Sequence, residues 1–167
     1  MRAAMDLEEL ENRVRALEDV EAIRKMKVLY AEACDINADP AVPYDAGAIA
    51  GLFTEDAVFD PGPLGDKIQG REAIRQAFSN SPTWMSFAVH YVNNPIIEVD
   101  GDTGKGTWYL LQAATFINGN RAVWGSGRYD EEYAKVNGEW KISSWKLTSF
   151  FWTPFDEGWA KTQFADM

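Results

Sequence analysis

The chain has 167 residues, with 16 Lys and Arg against 26 Asp and Glu, a formal net charge of −10, and 46% hydrophobic residues. That length and apolar content read as one domain, residues 1–167, with a buried core, and they exclude disorder for most of the chain. The acidic balance argues against a nucleic-acid partner, because phosphate binding needs clustered Lys and Arg. One Cys and one His supply neither an internal disulfide nor a structural zinc set.

The start of the chain runs into charged helix without an apolar leader, and no 18-residue apolar run follows. The expectation is therefore a cytoplasmic protein with no membrane partner. Seven Trp, six Tyr and nine Phe suit both a core of large side chains and an aromatic-lined pocket.

Residues 6–35 repeat apolar positions at three- and four-residue steps, which predicts a long amphipathic helix, or two joined near Glu18 and Asp19. Leu7, Leu10, Val14 and Leu17 resemble a short coiled-coil seam, as ready to dock on a neighbouring subunit as on their own domain. Residues 37–44, with Pro40 and Pro43, read as a loop, and residues 45–53 as a short helix. Residues 57–59 read as a short strand ending at the Asp60-Pro61-Gly62-Pro63 turn. A further turn at residues 65–67 precedes Ile68, and residues 70–78 form another short helix.

After Pro82 the pattern changes. Residues 84–99, 105–117, 121–135 and 139–151 are rich in β-branched and aromatic side chains. The separators are Asn93-Asn94-Pro95, Asp100-Gly101-Asp102, Asn118-Gly119-Asn120 and Asn137-Gly138. The last two are hairpin signals, since Asn-Gly accepts the positive φ angles of tight turns. Helices first and an antiparallel meander second predict an α+β domain with helices on one face of the sheet.

Phosphate loops, nucleophile elbows and metal-ligand spacings are absent. Gly125-Ser126-Gly127 lies mid-strand and reads as a bulge or a close backbone approach. His90 sits in the apolar strand around Val89 and Tyr91. Asp35 ends an apolar helix face. Each suits a structural role alone, and together they could form a dyad in which the carboxylate fixes the imidazole tautomer and leaves the other nitrogen to accept a proton. Spacing alone does not bring them together.

Five segments carry a family resemblance: Val20-Glu21-Ala22-Ile23-Arg24 through Tyr30 to Cys34-Asp35; Val89-His90-Tyr91; Gly106-Thr107-Trp108-Tyr109-Leu110; Tyr129-Asp130-Glu131-Glu132-Tyr133; and Gly138-Glu139-Trp140. They resemble, over nearly the whole chain, the SnoaL-like branch of the nuclear-transport-factor-like superfamily, and within it bile-acid 7α-dehydratases, hexachlorocyclohexane dehydrochlorinase and scytalone dehydratase. The resemblance implies a cone-shaped α+β barrel, a curved antiparallel sheet wrapped around a long N-terminal helix and shorter helices, with a hydrophobic pocket inside and commonly a trimer. It also implies that Asp35 and His90 are the dyad, and that Tyr30 matches a tyrosine able to support a substrate oxygen. The bile-acid enzymes carry an arginine on the last strand where this chain has Ser149, and scytalone dehydratase has a second pocket histidine that is missing here.

By analogy with the dehydrochlorinase, Trp108 faces inward, and strand alternation then carries Leu110 and Gln112 with it. The same argument turns Arg121, Val123 and Tyr129 inward and Arg128 outward, with Trp145, Leu147 and Ser149 following on the last strand. Arg121 is thus a candidate for the missing arginine near the pocket mouth, and Phe59 is a further wall residue. The apolar tail from Phe150 to Phe155, with Trp159, is expected to cover the pocket or a subunit interface.

The resulting expectation is a cofactor-independent lyase of the dehydratase type acting on a hydrophobic cyclic, phenolic or steroid-like molecule. His90 is the base, Asp35 orients it, and Tyr30, Tyr129 and Arg121 face the developing negative oxygen. Three alternatives remain: a deformylating C–C lyase on lignin-derived diaryl compounds through a quinone methide, a ketosteroid-isomerase-like enzyme with Asp35 as base, and a non-catalytic binding domain.

Overall fold

The computed structural model describes residues 6–37, 39 and 41–165, so Pro40 of the expected loop lies outside the described residues. Helix α1 spans Leu7–Cys34 without a break at Glu18. Asp6 caps it by accepting the Glu9 N–H at 2.7 Å, and Glu8 and Glu9 place negative charge at the positive end of the helix dipole. Its second half buries Ile23, Met26, Lys27, Tyr30 and Cys34 at helical spacing. Its first half leaves Leu7, Leu10, Val14 and Leu17 exposed.

Helix α2 (Ala46–Gly51) leads into strand β1 (Phe53–Asp60), which is longer than the expected three residues because Phe53 and Thr54 are buried at its start. Strand β2 (Ile68–Gln69) and helix α3 (Arg71–Ser79) follow. The meander is then β3 (Met85–Asp100), β4 (Thr103–Phe116), β5 (Arg121–Val136) and β6 (Glu139–Pro154). Asn137 and Gly138 have φ of 52° and 83°, as a two-residue hairpin turn requires.

Two expectations about the sheet need correction. The curved, unclosed six-stranded sheet is mixed, in the order β2-β1-β6-β5-β4-β3, with β1 parallel to β6. The connection between those two strands contains α3 and four strands, β2 to β5, long enough to return the chain in the same direction. Asn93-Asn94-Pro95 does not separate two strands either. Strand β3 continues through it with a register shift between Asn93 and Ile96, and Asn94 takes φ 51°. β3 is the last strand of the sheet, where a proline that donates no ladder hydrogen bond is tolerated.

The expected irregularity at Gly125-Ser126-Gly127 is present. The register of β5 on β6 shifts between Ser126 and Gly127, and a Cβ on Gly125 would meet the Trp152 ring at 2.7 Å. The extra residue is on β6, so Val123 and Tyr129 both remain buried on β5. The larger of two core clusters joins the second half of α1 to the inner sheet face, with Ile23, Phe53, Ile74 and Ile142 fully buried, and the smaller gathers Ile36, Ala88, Phe116, Val123 and Trp152. The tail folds back on β6, with Trp159 stacked on Phe151 at 5.0 Å.

Candidate active site

The end of α1 is bound to the sheet by two backbone hydrogen bonds, Ile36 N–H to Ala88 O at 2.9 Å and Ala88 N–H to Ile36 O at 3.0 Å. That bridge sets Asp35 beside His90. Asp35 Oδ1 accepts the His90 backbone N–H at 2.8 Å and lies 2.9 Å from His90 Nδ1. A carboxylate only accepts, so Nδ1 carries the ring proton and Nε2 presents its lone pair. The histidine side chain is 11% exposed and the aspartate 31%.

His90 forms part of the wall of a cavity of about 280 Å³. The walls are mainly aromatic and aliphatic. Phe59 stacks on Trp145 at 4.3 Å, Tyr129 tilts against Trp145 at 4.8 Å, and Phe78 meets Phe59 edge-on at 5.3 Å. Leu110, Leu147 and Trp152 complete the inner side. The polar contributions come from Tyr30, Cys34, Ser81, Gln112 and Tyr129, with Asp66 and half-exposed Trp84 on the loop side. Gln112 is paired directly with His90 across β3 and β4, so the two side chains share one sheet face.

Burial, with smaller contributions from Cys34 and Glu131, holds the Tyr30 and Tyr129 hydroxyls well above the usual phenol range. Burial likewise pushes the Cys34 thiol up to about 12. All three groups therefore stay protonated and serve as hydrogen-bond donors, not bases.

Of the residues singled out from the sequence, Tyr30, Phe59, His90, Leu110, Gln112, Tyr129 and Trp145 line this cavity. Asp35 does not; it borders a shallow groove between α1 and β3 on the other side of His90. Trp108 is buried in the core and donates its indole N–H to the Tyr133 hydroxyl at 2.8 Å. Ser149 accepts from the Trp152 indole at 3.3 Å and lies outside the cavity wall. Arg121 lies outside it as well, half-buried at the start of β5 opposite Phe116, so the missing arginine is not replaced in the wall.

Lys27 and Glu131 form a buried ion pair that is absent from the residues singled out in the sequence. The signal was available: Lys27 falls on the helical stripe with Ile23 and Tyr30, and Glu131 alternates inward with Tyr129 and Tyr133. Among the described residues no group of three or more His, Cys, Asp or Glu is placed to hold a metal ion. No helix among them is long and apolar enough to cross a membrane.

A cone of helix and curved sheet around an aromatic cavity defines the class, and the sequence agrees with it: residues 15–146 match the SnoaL-like domain model. The chain belongs to the SnoaL-like family. It is similar, at 30% identity over 83% of its length and 94% of the other chain, TM-score 0.72, to a protein from Novosphingobium aromaticivorans described as an aromatic ring hydroxylase. A second structure from that organism, described as a scytalone dehydratase, shares 22% identity over 83% of this chain and 89% of its own, TM-score 0.72. The hexachlorocyclohexane dehydrochlorinase of Novosphingobium barchaimii LL02 shares 23% over 83% and 91%, TM-score 0.70. A comparison with curated proteins returned no match.

Proposed function

We propose that this chain is a cofactor-free lyase that eliminates a small group, water in the first instance, from a hydrophobic cyclic or phenolic molecule. The observation that carries the reading is the double contact of Asp35 with His90, because it leaves one imidazole nitrogen as a base in the wall of a mainly apolar cavity. His90 Nε2 takes a substrate proton, and the electrons of the broken C–H bond form the new double bond. The leaving oxygen departs with its bonding pair and recovers that proton from the imidazolium as water. Tyr30 and Tyr129, held protonated by burial, donate to the substrate oxygen on which charge develops. Family membership and the described activities of two structural relatives are consistent with elimination chemistry.

The isomerase alternative, with Asp35 as base, has less support, since Asp35 is engaged twice by His90 and lies outside the cavity wall. We further infer that the single domain works as a homo-oligomer, a trimer by the family resemblance.

The test is turnover of a substrate found by screening cyclic alcohols and phenolic carbinols for loss of water by mass spectrometry. His90→Ala and Asp35→Asn are each expected to bind it and to lose about 10²–10⁴ in rate. Full activity in both variants overturns the dyad mechanism, whereas a dead Asp35→Asn beside a nearly normal His90→Ala favours the aspartate base.

A further inference from the structure

Lys27 on α1 and Glu131 on β5 form an ion pair whose side chains are 1% and 0% exposed. Elimination by Asp35 and His90 uses neither. A buried pair of charges loses its hydration, and an apolar pair of similar volume would often be as stable or more so, so packing alone is a poor reason for it. The surroundings of the two charges differ. The second oxygen of Glu131 accepts the Tyr133 hydroxyl at 2.6 Å, and that hydroxyl accepts the Trp108 indole N–H at 2.8 Å. The Lys27 ammonium has no second oxygen partner among the described residues. It lies instead 4.2 Å from the ring centre of Tyr30 and 4.0 Å from that of Tyr129.

Both rings line the cavity, and among the described residues no Lys or Arg does. Lys27 is the one cation over a ring of the cavity wall among them. A cation on the face of a phenol draws on the negative face of its π system. It thereby makes the hydroxyl a stronger donor to an oxygen that gains charge. Tyr30 and the Cys34 thiol are hydrogen-bonded neighbours, and burial keeps both protonated.

We propose that Lys27 is a positioning residue for an oxyanion site at the cavity floor: its ammonium, held by Glu131, fixes and polarises Tyr30 and Tyr129 so that their hydroxyls bind a phenolate or enolate oxygen in preference to its neutral form. This rests on the assignment of Tyr30 and Tyr129 as the donors to substrate oxygen. It extends that assignment to a ligand class, an aromatic phenol or enol able to ionise. The other titratable groups around the rings are Cys34 on α1, Glu131 and Tyr133 on β5 and, across the cavity, His90 on β3 and Asp66 on the loop before β2.

The experiment is a pH titration of 4-nitrophenol bound to the protein, read by the visible absorbance of its anion, with 4-nitrotoluene as the neutral isostere. In the wild-type protein the bound phenol is expected to ionise at lower pH than in free solution, although burial alone would shift it the other way. Lys27→Met/Glu131→Gln, which removes both charges together, is expected to lower the ratio of bound anion to bound neutral form at least tenfold. Its affinity for 4-nitrotoluene should stay within threefold of wild type. Should the double variant fail to fold, Lys27→Met alone is read by the same criterion.

Wild-type protein that binds no 4-nitrophenol at millimolar concentration, or binds it without favouring the anion, overturns the proposal with no variant needed. An unchanged ratio in the variant, or parallel loss of both probes, overturns it too, the second outcome marking a role in packing alone. His90→Ala should keep the anion preference. If the preference vanishes with His90 alone, the dyad holds the anion and Lys27 does not, whereas failure of the dyad mechanism is read separately, as turnover in that same variant.

Discussion

Asp35 makes both of its contacts to one residue, through the backbone N–H and the ring of His90, so it constrains the position of the strand and the orientation of the imidazole together. In the proposed elimination that carboxylate would also face the positive charge left on the ring by proton abstraction. Cys34, one residue earlier, has the opposite environment. Burial pushes its thiol up to about 12, with the Tyr30 hydrogen bond and Lys27 only partly offsetting this. At pH 8 the thiolate fraction is on the order of 10⁻⁴, so reaction of the native protein with Ellman's reagent should be about a thousandfold slower than for a free cysteine. Unfolding in guanidinium should restore ordinary reactivity. Rapid labelling of the folded protein would show the thiol is not held as described.

At the scale of elements, two further ties of α1 to the sheet flank the Lys27–Glu131 pair. One is the Ile36–Ala88 bridge at its end. The other is Asp19 at mid-helix, which accepts the Trp140 indole N–H at 2.8 Å and pairs with Lys135, itself 5.1 Å from the Trp140 ring centre. Partial burial raises the Asp19 carboxyl, but the bonds from Lys135 and Trp140 outweigh it and leave the group below its ordinary 3.8. Because the folded value is the lower one, the stabilisation is complete above the unfolded value and is lost as pH falls through the folded one. Asp19→Asn should therefore lose about 1–3 kcal/mol at pH 7 in urea unfolding, from weakened charge-assisted bonds. Its stability should also fall less steeply than that of the wild type below about pH 4. Parallel acid limbs for the two proteins would refute this role.

For the whole molecule, the apolar surface left outside the core is the feature behind the proposed homo-oligomer. Leu7 and Leu17 on α1 are 71% and 70% exposed, and Phe87, Tyr91, Tyr109, Leu111 and Phe150 stand exposed on the strands. On the tail, Phe155 and Trp159 are exposed although Trp152 turns into the cavity. Exposed apolar side chains in this number are what a subunit interface would cover. Light scattering at micromolar concentration is expected to report a homo-oligomer, and a species of only 18.8 kDa would refute it.

What the sequence determined by itself was local. The 3.6-residue period of residues 6–35, the period-two runs after Pro82 and the Asn137-Gly138 turn specify α1, β3 to β6 and the final hairpin, because side-chain spacing and positive-φ residues act within a few residues of chain. Alternation, once the family resemblance had set Trp108 inward, also placed Tyr129, Leu110 and Trp145 on the inner face. It could not say at what height along the strand each would stand. Trp108, Ser149 and Arg121 therefore lie outside the cavity wall, while Lys27 and Glu131, 104 residues apart, meet beneath its tyrosines. The dyad was legible only through the family resemblance, since nothing local ties Asp35 to a strand 55 residues away. Those outcomes, with the parallel pairing of β1 on β6, were decided by the tertiary structure, because sheet twist, strand register and the docking of α1 set which inward residues share one space.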